Sequence, residues 1–333
     1  MEKTITWVNF PIRRSGGFAY GALAREVLAS EYEVELKDFS FDSIKIRSLK
    51  PFLWFFYLMR LWFKKPRSAW IRDDIMGAIV PLWTRKKNIL LIYHIDPTVF
   101  PGFFRIFYKL AEKFIYWNAR KADAIVTISD YWQQYFLKKG FRNVHKIYWA
   151  FAVQEQAIGE AEIAEFKKKF HLEDKPIVYL GNCQKEKGVV EAYEALKGLP
   201  AHLVTSGKPM VQLPALNLDL SHREYLCLLK ASFVVLTMSK FKEGWCITAH
   251  EAMLSGTPVI GSGLGGMREL LEGGNQMVCE DFGLLRERVE YFLQNPDARS
   301  AMGRKGYEYA KNFSLERFKK EWFDLSQNHI DKE

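Results

Sequence analysis

The chain has 333 residues, 48% of them hydrophobic and 26% charged, with four cysteines and a net charge of +9. That length suits two domains of about 150 residues each, the hydrophobic share is ample for two cores, and the sequence excludes an internal repeat or a low-complexity tract. The charge is uneven: residues 1–150 hold 25 Lys and Arg against 13 Asp and Glu, a balance of +12, and the remainder stands at −3. A basic first half calls for an anionic partner, which an anionic membrane, a phosphorylated acceptor or nucleic acid would each supply.

In chain order, residues 4–8 read as a first strand, PIRRSGG (11–17) as a turn in which Arg13 and Arg14 could hold phosphate, and 18–30 as a helix. Strand, Gly-Gly turn and helix open a nucleotide-type βα unit, although G-x-G-x-x-G is absent. Residues 34–39 read as a second strand. The longest apolar run, PFLWFFYLMRLWF (51–63), is thirteen residues with Arg60 inside it, too short for the ~20 residues of a spanning helix. NILLIYH (88–94) is an unbroken apolar run, as in a strand buried on both faces, and delivers His94 and Asp96 at its C-terminal end, where α/β sheets place ligands. Residues 103–121 predict a long helix with Arg105, Lys109 and Lys113 spaced every four residues beside Phe103, Phe107, Leu110 and Phe114. This fits a membrane-surface face or an ordinary solvated one. AIVTIS (124–129) is a further buried strand, 130–139 a helix ended by Gly140, and 144–149 closes the first domain.

After a charged linker and helix (152–172), residues 177–180 open a second α/β domain, and GNCQKEKG (181–188) leads into a helix at 189–196. Strands follow at 202–205 and 216–220, and Ser221 with Glu224 forms a capping box for a helix reaching Lys230. A buried strand at 233–236 then runs into FKEGWCITAHEAMLSGTPVIGSGLGGMREL (241–270). Here Glu243 and Glu251 stand eight positions apart. Ile247, Glu251, Leu254 and Ser255 recur at helical steps, which places Glu251 on one face of that helix. Gly256-Thr257-Pro258 stops it, Val259-Ile260 is a short strand, and a Gly-rich turn ending in Gly265-Gly266 runs into another helix. A Gly-rich turn at a helix N-terminus gathers free N–H groups and the positive dipole end at one spot. Carboxylates that accept from hydroxyls, beside such a cradle, suit a sugar joined to a nucleoside diphosphate. Beyond residue 283 the chain is helical to its end, with 312–314 separating the last two helices.

EGWC, HEAML, GTPVI and GLGG together resemble the C-terminal signature of retaining glycosyltransferases of the GT-B fold, family four (glycosyl transferases group 1). The resemblance is close over residues 173–326 and looser before. It implies an α/β chain of two Rossmann-like domains facing each other across a cleft: 1–152 for the acceptor, 153–313 for the nucleotide-sugar, and 314–333 a helix crossing back. By the same resemblance Glu251 accepts from the nucleotide's ribose hydroxyls. Glu243 and the amides of Gly244, Trp245 and Cys246 hold the transferred sugar, and Gly265 and Gly266 belong to the same donor loops. Gly181, Lys187 and Gly188 lie on the donor diphosphate, Gly16 and Gly17 on the diphosphate or the acceptor, and His94 at the reaction centre. Three positions depart from the family: Asn182 and Cys246 replace an Arg and a Gly, and Ala150-Phe151-Ala152 replaces an Asn-Gly pair.

No Asp-x-Asp occurs, so Lys187 and helix N-termini are expected to stabilise the leaving diphosphate, with no metal and no cofactor beyond the donor substrate. The expected partners are the nucleotide-sugar, an acceptor glycan or lipid-linked sugar, and an anionic membrane surface, without nucleic acid. Cysteines 183, 227, 246 and 279 form no CxxC pair, which argues against zinc and for a reducing cytoplasm, at the inner face of the cell membrane. Two other readings compete. A nucleotide-sugar epimerase of the same fold would act without an acceptor, and a non-enzymatic basic module would bind nucleic acid through the first half, although no nucleic-acid motif is present.

Overall fold

A computed structural model of the chain describes residues 3–9, 16–38, 50–63, 69–73, 87–96, 103–153 and 157–331. Arg13, Arg14, Lys64, Lys65, Arg67, Arg85 and Lys86 lie outside the described residues, as does the side chain of Arg105. The chain divides into two compact units, Met1–Trp149 with Leu315–Glu333, and Ala150–Ser314. Each unit is built on a six-stranded sheet.

In the first unit the elements are β1 (Thr4–Asn9), α1 (Gly16–Leu28), β2 (Glu33–Asp38), α2 (Lys50–Phe63), β3 (Ala69–Asp73), β4 (Lys87–Leu91), α3 (Phe103–Ala119), β5 (Ala124–Thr127), α4 (Asp130–Lys138) and β6 (Val144–Lys146). The strands pair in parallel in the order β2-β1-β3-β4-β5-β6. Between β1 and β3 the order reverses, and such a switch point opens a crevice at the strands' C-terminal ends.

Strand β3, near the middle of this sheet, was not expected from the sequence. Its AWIRD carries two charges, yet all five residues are buried. Each charge has a partner inside: Arg72 Nε donates to Asn88 Oδ1 at 3.0 Å. Asp73 accepts from Trp7 Nε1 at 3.1 Å and from the Tyr93 hydroxyl at 2.6 Å. The last α-helix among the described residues, α12 (Leu315–Ser326), belongs to this unit. Its Phe318 and Trp322 rings meet Tyr20 and Trp7 at 5.3 and 6.1 Å, and Lys3 pairs with Asp331 at 2.9 Å just beyond it.

The second unit runs α5 (Glu160–Phe170), β7 (Ile177–Asn182), α6 (Val189–Leu196), β8 (His202–Ser206), β9 (Leu216–Leu218), α7 (His222–Ala231), β10 (Val234–Thr237), α8 (Ile247–Leu254), β11 (Val259–Gly261), α9 (Met267–Gly273), β12 (Met277–Val278), α10 (Leu285–Gln294) and α11 (Pro296–Ala310). Its strands are parallel in the order β12-β11-β10-β7-β8-β9. The switch point falls between β7 and β10, so the loops leaving these two strands emerge side by side. The core is aliphatic, with Val178, Leu180, Val234, Leu236 and Ile260 from the strands against Val189, Leu196, Val289 and Phe292 from the helices. The Ser221–Glu224 capping box forms at α7.

Helix α8 corrects one expectation. Ala249 through Leu254 are all buried, so this helix is enclosed and the spacing around Glu251 does not mark a single inward face. Gly16 and Gly17 also differ from their expected place: they are the first residues of α1 and not part of a turn.

Candidate functional site

The second unit's switch point gathers two loops. The first leaves β7 through Gly181, whose φ of +104° only glycine adopts readily, and forms a 3₁₀ turn at Lys185–Lys187. It closes on Gly188 at φ +72°, where a Cβ would lie 2.2 Å from the Met238 carbonyl oxygen. Only glycine therefore allows this loop to lie against the exit of β10.

The result is an ion pair: Lys187 Nζ stands 2.6 Å from Glu243 Oε1, and the Ser239 hydroxyl donates to the same oxygen at 2.6 Å. The Lys187 side chain is 30% exposed and that of Glu243 only 9%. Burial pulls the lysine's pKa down, but the Glu243 carboxylate outweighs it and holds the ammonium above its ordinary value. The Phe241 ring lies 4.9 Å below the same Nζ.

The Gly-rich turn is fastened directly to this carboxylate's backbone. Glu243 N–H donates to the Leu264 carbonyl at 3.1 Å, and Gly266 N–H donates to the Glu243 carbonyl at 2.9 Å. Gly265 lies between, at φ +70°, where a Cβ would sit 2.5 Å from the Glu243 oxygen and 2.8 Å from its nitrogen. Gly265→Ala is expected to cost at least about 1–2 kcal/mol from the left-handed backbone alone, and to push the two loops apart. A urea unfolding midpoint equal to wild type would show that the loops are not clamped there.

Glu251 lies within α8, 6% exposed. Burial drives its pKa up to about 7, and the nearby Tyr225 hydroxyl, which donates to Thr248 Oγ1 at 3.3 Å, acts in the lowering direction. The Tyr225 hydroxyl, in turn, is held well above its usual value by burial and then by the Glu251 charge. Tyr225 comes from α7, 26 positions earlier in the chain, and nothing near Glu251 in the sequence signals it.

The Trp245 indole is turned inward. Its Nε1–H donates to His250 Nδ1 at 3.0 Å, so His250 carries its proton on Nε2, 3.0 Å from the Ala310 carbonyl. Burial takes the His250 pKa down to about 3. Phe151 and Phe313 close on the same imidazole at 4.3 and 4.9 Å. Thus Phe151, in the Ala150-Phe151-Ala152 stretch that has no account from the sequence, is a wall of this buried cluster. What Gly244, Trp245 and Cys246 can offer a ligand is their backbone at the start of α8.

Gly16, Gly17 and His94 lie in the first unit. A Cβ at Gly17 would come within 2.7 Å of the Tyr93 ring, so this glycine is required for the close approach of α1 to the end of β4. His94 follows Tyr93 directly and is half-buried.

Residues 160–309 match the sequence profile of the family described as glycosyl transferases group 1. The match falls within the second unit, whose sequence is similar to glycosyl transferases group 1. Trehalose synthase of Pyrococcus horikoshii is 34% identical over 105 residues, 31% of this chain and 25% of that protein. The chain therefore spans about a quarter of that relative's length. An Anabaena protein, Alr3699/HepE, solved with UDP and glucose, superposes with a TM-score of 0.77 at 15% identity, covering 98% of this chain and 100% of that one. WaaG, a glycosyltransferase involved in lipopolysaccharide biosynthesis, superposes at 0.74 and 14% identity, covering 96% and 99%. The two parallel sheets are those of the GT-B fold.

Two positions at which the chain departs from the pattern it resembles take on a physical meaning. Asn182 is exposed at the end of β7, and its Oδ1 accepts from the Tyr179 and Ser206 hydroxyls, each at 3.2 Å. An arginine there could not accept these bonds. Cys246 is buried as the N-cap of α8, and burial pushes its thiol up to about 12, so it stays neutral.

Proposed function

We propose that the chain transfers a sugar from a nucleoside-diphosphate sugar to an acceptor hydroxyl, with retention of anomeric configuration and without a metal ion. The observation that carries this reading is the Lys187–Glu243 pair at the switch point, clamped to the Gly-rich turn and in the same unit as the buried Glu251. Lys187 compensates the leaving diphosphate, whose charge grows as the glycosidic bond breaks. Glu243 and the amides at the start of α8 hold the sugar, and Glu251 accepts from the ribose. His94 serves the acceptor side. The acceptor oxygen bonds the anomeric carbon on the face from which the diphosphate departs, and the departing phosphate oxygen takes the acceptor's proton.

A UDP complex of a neighbour with this fold supports a nucleoside-diphosphate donor, and the neighbour from lipopolysaccharide biosynthesis supports a lipid-linked acceptor. The surface of the first unit supports an interfacial location. Helix α2 exposes Phe56 (66%) and Phe63 (78%) beside Arg60, and α3 exposes Phe114 (59%) and Trp117 (45%) beside Lys109 and Lys113. No helix among the described residues is long and apolar enough to cross a membrane. Rings at headgroup level with cations among them bind anionic lipid at ~1 kcal/mol per Lys or Arg. On this ground the enzyme works at an anionic membrane surface, which for the reducing compartment its cysteines suggest is the cytoplasmic face.

The protein is expected to sediment with anionic vesicles at low salt and to be released as salt rises. Lys109→Ser with Lys113→Ser should weaken this without changing donor affinity. Protein that stays in the supernatant at low salt would end the membrane part of the reading. The transfer itself is tested by incubation with nucleotide-sugars and a lipid-linked acceptor, reading the product's anomeric configuration by NMR. An inverted product, or an isomerised donor formed without acceptor, would refute retaining transfer.

A further inference from the structure

At the opposite end of α8 from Cys246 lies an open cavity of about 1180 Å³ that the donor chemistry does not use. Helix α11 builds one wall by coming unusually close: a Cβ on Gly303 would stand 2.2 Å from the Gly256 carbonyl oxygen, just past the end of α8. Opposite, the Tyr309 ring packs on Gly273, where a Cβ would meet it at 2.2 Å. Two glycines thus fix the cavity's shape in the backbone.

Lys230, Arg299, Arg304 and Lys305 line this cavity, with Glu308 the acidic side chain among its walls. Glu308 is already paired with Lys311 at 2.6 Å. Among the described residues, none of the four lining cations has a carboxylate partner, although Lys187, Lys240, Arg223, Arg268 and Arg286 of the same unit are all paired. Lys230 Nζ donates to the Ser255 carbonyl at 2.7 Å, which offsets the negative end of the α8 dipole at the cavity's edge. Arg299 is half-buried against the Phe233 ring at 4.8 Å, and its Nη1 donates to the Phe233 carbonyl at 3.4 Å, which fixes the guanidinium at the cavity wall. Four cations without a carboxylate partner around one cavity favour an anionic ligand.

We propose that this cavity binds a phosphate-bearing ligand, held by Arg299, Arg304 and Lys305, separately from the donor loops. Planar guanidinium groups match phosphate oxygens, and the volume suits a small molecule. The phosphate can belong to a soluble ester or to a lipid headgroup, and the experiment separates these sources.

Pyrophosphate is titrated by calorimetry at low salt into full-length Lys187→Ala protein, in which the diphosphate contact of the donor loops is removed. The same titration is repeated with Arg304→Gln and Lys305→Gln added. Both added positions are exposed, so the melting temperature should not change. Saturable binding that weakens about tenfold or more on their substitution is the expected result. Should Lys187→Ala fail to fold, wild type is expected to show two pyrophosphate sites and the Arg304→Gln, Lys305→Gln protein one. For a headgroup source, sedimentation with acidic phospholipid vesicles falls with the Arg304 and Lys305 substitutions, whereas a soluble source leaves it unchanged. Pyrophosphate and vesicle binding both indifferent to these substitutions would overturn the proposal.

Discussion

Lys187→Ala is expected to lower turnover at saturating donor by about a hundred- to a thousand-fold, the usual loss when a preorganised group facing developing charge is removed. In the resting protein this ammonium faces Glu243 at 2.6 Å, and a donor diphosphate offers it a second, stronger anion. The substitution also leaves the Glu243 carboxylate buried with the Ser239 hydroxyl and without its cation. Loss of one member of a fully buried pair costs ~3–5 kcal/mol, and the 30% exposure of Lys187 brings the expected figure below that range. Turnover and urea unfolding therefore have to be measured together. Unchanged turnover in a folded variant would remove Lys187 from the chemistry.

Glu251→Gln should change both stability and its dependence on pH. The folded pKa is about 7 against an ordinary 4.5, so between these values the folded state holds a proton that the unfolded state has released. Stability then falls as pH rises through 4.5 to 7 and stays lower above 7. At 1.36 kcal/mol per unit this is about 3 kcal/mol. The glutamine variant lacks this term, so it should equal wild type near pH 4.5 and exceed it by up to that amount at pH 8. Nucleotide affinity should move the other way, weaker by ~1.5–3 kcal/mol through loss of charge-assisted bonds to the ribose. In wild type, affinity should decline as pH falls below 7, because the protonated carboxyl accepts less well. Urea titrations at pH 5 and pH 8 that differ equally in both proteins would show that Glu251 is not the titrating group.

The second unit was largely legible from sequence because its loops carry backbone constraints. Gly188 and Gly265 mark places where only a missing Cβ lets two chains touch, and such positions are visible as letters. The capping box at Ser221 is equally local. What the sequence hid was tertiary. Strand β3 looked too charged because the partners of Arg72 and Asp73 come from β1, from β4 and from just past β4's end. The Tyr225 hydroxyl acts on Glu251 from another helix, and the tautomer of His250 is set by Trp245 and the end of α11. Strand β12, two residues long, is too short for any periodicity to show. In the first unit, PIRRSGG gave a turn where the chain already begins α1 at Gly16, because Gly17 serves contact with Tyr93 and not a left-handed backbone.

The central claim is that the second unit grips a nucleoside diphosphate through Lys187 at the phosphates and Glu251 at the ribose. Calorimetric titration of nucleoside diphosphates and their sugars into wild type, Lys187→Ala and Glu251→Ala tests it most directly. One nucleotide is expected to bind at a single donor site. Lys187→Ala should weaken the diphosphate far more than the bare nucleoside, and Glu251→Ala should weaken both. No binding by any nucleotide, or a bound nucleotide indifferent to both substitutions, would contradict the account.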